Sequence, residues 1–261
     1  MASDHLILFG GRGRLVGFEP LLIPNGVKVL GCPMTGDDHL PWDVCQELGI
    51  KIVTLKGERR FLRSITSTSE HTMGLIISLM RKYREAFSQP WGDRDEYIGL
   101  KLRGKTLGII GHKGRIGTQI RRLAKAFGMR VLGYDTRGLW HGSLGKLLKE
   151  SDIVSIHIPL NDNRNFFNGG MFDRMKPTAF IVNTSRPGIF EKGALLDALE
   201  KCKIKGAAMD FVDDDALVEY AKEHDHLILT PHQGGNTVED RVLTRDFIIE
   251  KMAKALAGGR L

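Results

Sequence analysis

The chain is 261 residues long, 42% hydrophobic and 26% charged, with 38 basic and 31 acidic residues giving a net charge of +7. Such a composition excludes a disordered chain and leaves room for one large domain or two modest ones. No apolar run reaches the roughly 18 residues of a membrane span, no signal-peptide layout opens the chain, and Cys32, Cys45 and Cys202 form no C-x-x-C pair, so a cytoplasmic protein without disulfides or a bound metal is expected.

Residues 1–68 carry three strand candidates, "HLILFG", "VKVLGC" and "GIKIVTL", which predict a small α/β piece. "STSEHTMGLIISLMRKYREAF" then reads as one long helix. Ser67, Thr68 or Ser69 caps it, and Met73, Ile76, Met80, Tyr83 and Phe87 make an apolar stripe at helical spacing. "SQPWGDRDEYIGLKLRGK" is a linker rich in turn formers. Beyond it, six β-rich runs alternate with helical patterns: "TLGIIG" (106–111), "RVLGYD" (130–135), "DIVSIHI" (152–158), "AFIVNTS" (179–185), "GAAMDFV" (206–212) and "HLILTPH" (226–232). Most are too uniformly apolar to face water on one side, as strands of a covered parallel sheet should be. Helical stretches between them include "GTQIRRLAKAFG", closed by Gly128, and "EKGALLDALEKCKI". The pattern predicts a doubly wound parallel α/β sheet over residues 73–237, the connecting helix included. A smaller α/β domain is expected from residues 1–72 with 238–261, whose last helix spans 238–257. Basic clusters occur at Arg12/Arg14, Arg59/Arg60/Arg63 and Arg121/Arg122, but no aromatic stacking motif is interleaved with them. That argues against nucleic acid and leaves a solvated basic surface or an anionic small-molecule substrate.

The first strand of the larger domain ends in "GHKGRIG". Its glycines, Gly111, Gly114 and Gly117, are spaced three and three, where the dinucleotide fingerprint G-x-G-x-x-G has two and three. Either Gly111 is the first glycine and the turn has grown by a residue, or His112 stands in the first glycine's place. Both readings keep Gly114-Arg115-Ile116-Gly117 at the start of a helix, where backbone N–H groups face a pyrophosphate. Asp135 ends the next strand, 18 residues past Gly117, near the distance of about 20 expected for a carboxylate that bonds the adenosine ribose. Its charge favours NAD over NADP, while Arg137 nearby is a possible partner for a 2′-phosphate.

Three later stretches lie just beyond strand C-termini, where open α/β sheets bind ligands. They are "VNTSRPG" with Arg186, "MDFVDDD" with Asp210 to Asp215, and "LTPHQGG" with His232. An arginine, an acid and a histidine on one edge are the parts needed to handle a carbonyl acid with proton transfer. With "MTGDDHL", "TSEHTMGLIISLMRK", "LRGKTLGIIG", "SIHIPL", "MKPTAFIVNTSRPG" and "GAAMDFV", these motifs span nearly the whole chain. The sequence resembles the D-isomer-specific 2-hydroxyacid dehydrogenases. The resemblance implies a Rossmann NAD domain beside a flavodoxin-like domain, and hydride transfer between NAD and a 2-oxo or D-2-hydroxy acid. It implies His232 as general acid/base, Arg186 as the arginine that pairs with the substrate carboxylate, and the backbone of Thr35 and Gly36 as a second carboxylate contact. Pro159, Thr184, Ser185, Asp210 and Gly235 fall at cofactor-lining positions of that family, beside the glycine turn and Asp135.

Departures from the family pattern carry their own expectations. The carboxylate that supports the histidine is Asp215 by count, one methylene shorter than the usual Glu, with Asp213 and Asp214 as alternatives. Pro187 follows the arginine where glycine is usual, and Arg164 replaces a small hydroxyl residue. The small domain begins one strand–helix–strand–helix segment late, which would leave "HLILFG" as an open apolar edge and predicts an altered dimer or a compromised small domain. "LKGERRFLRSITSTSEH" is a longer loop than usual, and Arg60 within it is a candidate for a second anionic group on the substrate. A homodimeric enzyme is the first expectation. The alternative is a non-catalytic NAD(H)-binding sensor or scaffold.

Overall fold

The computed structural model describes residues 5–8, 26–37, 40–88, 91–135 and 143–257, with residues 5–8 as backbone only. The chain divides into two compact units, residues 66–235 and residues 1–65 with 236–261.

In the smaller unit, β1 (His5–Leu8), β2 (Val27–Cys32) and β3 (Lys51–Thr54) form a parallel sheet in that order. Among the described residues β1 is an outer strand, paired with β2. The apolar run of β2 has a physical reason, since both faces are covered. Val29 packs with Val53, Leu55 and Leu62 on one face. Leu30 and Cys32 meet Leu40, Cys45 and Ile50 on the other. Helix α1 (Trp42–Glu47) supplies Cys45. The expected long loop after β3 contains instead a one-turn helix, α2 (Arg59–Leu62).

The larger unit begins with a departure from expectation. The single helix predicted over 67–87 is two: α3 (Ser67–Met80) and α4 (Tyr83–Ser88). Lys82 sits between them with φ 54°, a left-handed conformation that ends a helix. The returning chain takes over the last turn: Leu100 N donates to Met80 O at 2.6 Å. Gly99 permits that approach, because a Cβ there would lie 2.8 Å from the same oxygen. The cap also differs. The N-cap position is Thr66, and its hydroxyl lies 2.6 Å from Glu70 Oε1. The predicted stripe ends with the break: Met73, Ile76 and Met80 are buried, whereas Phe87 is 79% exposed.

Among the described residues the main sheet has six strands, all parallel: β4 (Thr106–Ile110), β5 (Arg130–Tyr134), β6 (Ile153–Ile156), β7 (Phe180–Asn183), β8 (Gly206–Met209) and β9 (Leu227–Leu229). Their order is β5-β4-β6-β7-β8-β9, so the connections diverge between β4 and β6. Such a switch point opens a crevice at the strand C-termini. Two cores cover the faces. Helices α3 and α5 (Arg115–Ala126) bury Met73, Ile76, Ile120 and Ala124 against Leu107, Ile109, Val182 and Ala208. The opposite core takes Leu147 and Leu148 from α6 (Leu144–Glu150) and Phe172 from α7 (Gly169–Phe172). It also takes Leu195 from α8 (Ala194–Glu200) and Leu217 from α9 (Asp215–Glu223). Gly128, φ 72°, closes α5 as the sequence predicts.

The chain returns to the smaller unit in α10 (Val238–Leu256), whose N-cap Thr237 accepts a hydrogen bond from Asp240 N at 3.2 Å. Ile248 and Met252 of α10 lie directly on Gly31 of β2, where a Cβ would be 2.7 Å from Ile248 Cγ2. Gly31→Val should therefore overpack this face and lower stability by about 1–3 kcal/mol. Urea unfolding followed by circular dichroism measures it, and an unchanged midpoint would contradict the packing described.

Candidate active site

Because all six strands run the same way, the residues that follow β4, β6, β7, β8 and β9 gather at one edge of the sheet. The glycine turn after β4 decides between the two readings of its spacing. Gly111 has φ 90°, and a Cβ on it would strike the His157 carbonyl at the end of β6. A Cβ on Gly117 would strike the Gly111 carbonyl and lie 2.8 Å from His112 Cα. Gly111 is thus the first glycine. The added residue turns the loop into a closed four-residue turn, with Gly114 N donating to Gly111 O at 3.0 Å. Gly114 is the N-cap of α5, followed by Arg115 and Ile116 in its first turn.

Asp135 follows β5 and is well shielded, its side chain 13% exposed. Lys113 N donates to Asp135 Oδ2 at 3.0 Å, and His112 Nδ1 lies 2.6 Å from the same oxygen. A glycine turn at the N-terminus of a 12-residue helix, with a carboxylate ending the neighbouring strand, fits a dinucleotide. Arg137 lies outside the described residues.

At the end of β6, Pro159 is exposed and its carbonyl accepts from Asn163 Nδ2 at 2.8 Å. After β7, Asn183 shapes the loop that carries Arg186. Its Oδ1 accepts from Ser185 N at 2.9 Å and its Nδ2 donates to Arg186 O at 2.9 Å. Ser185 Oγ donates to Ile156 O, tying this loop to β6, and the hydroxyls of Thr184 and Thr72 meet at 2.9 Å, tying it to α3. Arg186 Nη1 donates to Ser185 O at 3.1 Å. Pro187, the departure noted in the sequence, opens a short 3-10 turn over Pro187–Ile189, a position that suits proline. Arg164 brings Nη1 to 3.5 Å from where a Gly188 Cβ would stand.

The end of β8 holds the most connected group. Asp210 is 1% exposed. Its Oδ1 accepts from Thr230 Oγ1 at 2.7 Å and Gln233 N at 2.9 Å, and its Oδ2 accepts from Gly234 N at 2.8 Å. His71 Nε2 of α3 approaches Oδ1 at 3.1 Å and Thr230 Oγ1 at 3.2 Å. Burial alone would raise the Asp210 pKa, but hydrogen bonds from His71, Thr230 and Gln233 outweigh it and hold the carboxyl below its usual range. The loop so gripped carries His232, which is exposed and has φ 51°, with its N–H donating to Thr230 O at 2.9 Å. A non-glycine residue costs roughly 1 kcal/mol or more in that region, so the loop's other contacts must impose it. The imidazole lies 4.9 Å from the Phe211 ring. Gly235 is exposed, with Thr68 Oγ1 4.0 Å from its missing Cβ.

The three aspartates are placed by the start of α9. Asp214 is its N-cap and accepts from Ala216 N at 3.1 Å, Asp215 is its first residue, and Asp213 is exposed. A helix start accounts for Asp214 and Asp215 on its own. His71, Thr230 and Asn183 were not singled out from the sequence; their partners are distant in the chain, and only the "EHT", "LTPH" and "VNTS" contexts hinted at them.

In the smaller unit, Thr35 and Gly36 follow β2, Thr35 exposed and Gly36 half-buried. Their loop is pinned by Leu55 N donating to Met34 O and by Lys56 Nζ 2.7 Å from Asp37 Oδ2. Arg59 and Arg60 are exposed on α2, which is held by stacking of Phe61 on Phe247 at 3.9 Å and by the Glu58–Lys251 ion pair.

Residues 73–234 match the model of the D-isomer specific 2-hydroxyacid dehydrogenase NAD binding domain. The chain belongs to that family. It is 33% identical to a D-3-phosphoglycerate dehydrogenase of Methanocaldococcus jannaschii, over 98% of this chain and 51% of the relative. It is 32% identical to a glyoxylate reductase of Aeropyrum pernix, over 90% of this chain and 75% of that one. Among solved structures, apo D-lactate dehydrogenase from Escherichia coli superposes with a TM-score of 0.79 at 28% identity, covering 90% of this chain and 77% of its own. The chain spans about half the length of the phosphoglycerate dehydrogenases it matches.

His157, whose carbonyl backs the glycine turn, gives a pH prediction. Its Nε2 lies 2.7 Å from Ser155 Oγ, and burial pushes its pKa down to about 3. Folded, it stays neutral; unfolded, it takes up a proton near pH ~6.5. Its contribution is complete above that pH and is lost as pH falls toward 3, at about 1.4 kcal/mol per pH unit. Between pH 7.5 and 5, wild type should lose roughly 2 kcal/mol more stability than His157→Asn. Urea titrations at both pH values measure the difference, and equal losses would contradict it.

Proposed function

We propose that this chain is an NAD-dependent oxidoreductase that interconverts a 2-oxo acid and a D-2-hydroxy acid. The observation that carries the reading is His232, held in a left-handed conformation on a loop anchored to Asp210, at the sheet edge that also presents Arg186 and the glycine turn. Gly111, Gly114, Arg115, Ile116, Gly117, Asp135, Pro159, Thr184, Ser185 and Gly235 hold the cofactor, which supplies or accepts the hydride when bound. His232 gives a proton to the substrate carbonyl oxygen in reduction and takes it back in oxidation; imidazole suits both directions near neutral pH. The Arg186 guanidinium pairs with the substrate carboxylate and orients the carbonyl. Thr35 and Gly36 offer backbone N–H groups to the same carboxylate, and Asp215 supports the protonated form of His232. Arg60, exposed on α2, takes a second anionic group of the substrate.

NADH oxidation against a panel of 2-oxo acids, run beside NADH binding by fluorescence, tests the reading. Turnover is expected for wild type, with His232→Gln lowering kcat by about 10²–10⁴-fold while NADH binding persists. Binding without turnover on any acid would favour a non-catalytic NAD(H) sensor. Arg60→Ala should raise KM for a doubly anionic acid by roughly tenfold and leave a monoanionic one unchanged; equal kinetics on both would end that assignment.

We further infer a cytoplasmic homodimer. Cys32 and Cys45 are buried free thiols, which suits a reducing compartment. Phe87, Trp91 and Ile98 are 79%, 98% and 71% exposed along one short stretch, a costly arrangement for an isolated subunit. Sedimentation should show a dimer in wild type and a monomer for Phe87→Ser with Trp91→Ser. A monomeric wild type would refute the assembly.

A further inference from the structure

The residue added to the glycine turn changes what touches Asp135. His112 and Lys113 are the two central residues of the turn that Gly114 N closes onto Gly111 O. Both reach the same carboxylate oxygen: Lys113 through its backbone N–H at 3.0 Å, His112 through Nδ1 at 2.6 Å. A turn of the usual spacing has one residue between its first two glycines, so one of these two residues has no counterpart there. The imidazole lies flat on Gly133, where a Cβ would stand 2.6 Å from Cδ2 and 2.8 Å from Nδ1. Gly133 and Asp135 are two apart along the extended end of β5, so they share a face. The glycine leaves the space in which the ring reaches the acid. His112 Nδ1 and the Asp135 carboxylate thus meet in a close polar contact over Gly133.

We propose that His112 is a positioning residue for the cofactor, holding the Asp135 carboxylate in the orientation that takes the adenosine ribose hydroxyls. The proposal rests on the NAD reading above and deepens it. A shielded carboxylate keeps one orientation only where polar neighbours hold it. Held by the Lys113 N–H and hemmed in by the His112 ring, Asp135 cannot swing aside to admit a 2′-phosphate, so the same contact sharpens discrimination against NADP.

Isothermal titration of the full chain with NAD, NADP and ADP-ribose tests this. His112→Ala should weaken NAD and ADP-ribose in parallel by roughly tenfold, through loss of the close contact that confines the Asp135 carboxylate, and narrow the NAD/NADP ratio. His112→Asn, which keeps a polar side chain in the same place, should retain more of the affinity than His112→Ala. Gly133→Val should reproduce the alanine variant by expelling the ring, with His112 itself intact. Wild type that binds NAD with an affinity His112→Ala leaves unchanged overturns the role of His112 alone. Wild type that binds neither NAD nor ADP-ribose overturns the NAD reading, and this inference with it. Thermal melts of each variant separate these results from unfolding: a variant that melts with wild type yet binds weakly supports positioning.

Discussion

The carboxylate of Asp210 is the constraint on which the site depends. At 1% exposure it must be satisfied from within the protein. It is satisfied by one loop and one helix: Thr230, Gln233 and Gly234 donate from the segment after β9, and His71 approaches from α3. Two consecutive backbone N–H groups aimed at one carboxylate fix the path of the chain between them and Thr230. His232 lies on that path, and its left-handed backbone follows from the closure. The loop's shape is thus set from beneath, by a group at the end of β8, while the imidazole remains exposed.

The glycine turn obeys the same logic with different materials. Backbone replaces side chain at Gly111 and Gly117, where any Cβ would meet a carbonyl. These approaches lock β4, α5 and the end of β6 together at the point where the sheet connections diverge. The extra residue is tolerated because a four-residue turn closes by its own hydrogen bond. The helix N-terminus and Asp135 therefore remain available, and the change falls on the side chain of His112.

Much of this was legible in the sequence because burial on two faces leaves a local mark. The six apolar runs became six strands, each trimmed at its C-terminal side where the chain turns into site loops. Gly128 ended α5, and Asp135 ended β5, as their residue types imply. What depended on distant contacts was not legible. Apolar spacing ran on through Arg81 and Lys82, and only Leu100, returning to Met80 O, shows why the helix stops there. His71 and Thr230 look unremarkable in their own segments; their meaning comes from Asp210, 139 and 20 residues away. The run of three aspartates has a local cause beside its family position, since the start of α9 is itself sufficient for Asp214 and Asp215.

Asp210 holds the His232 loop from beneath. Amide hydrogen exchange in wild type and Asp210→Ala tests it most directly. The Gln233 and Gly234 amides should be protected in wild type and exchange almost freely in the variant, while Ile109 and Val182 in the sheet stay protected. Unchanged protection of Gln233 and Gly234 after removal of the carboxylate would contradict it.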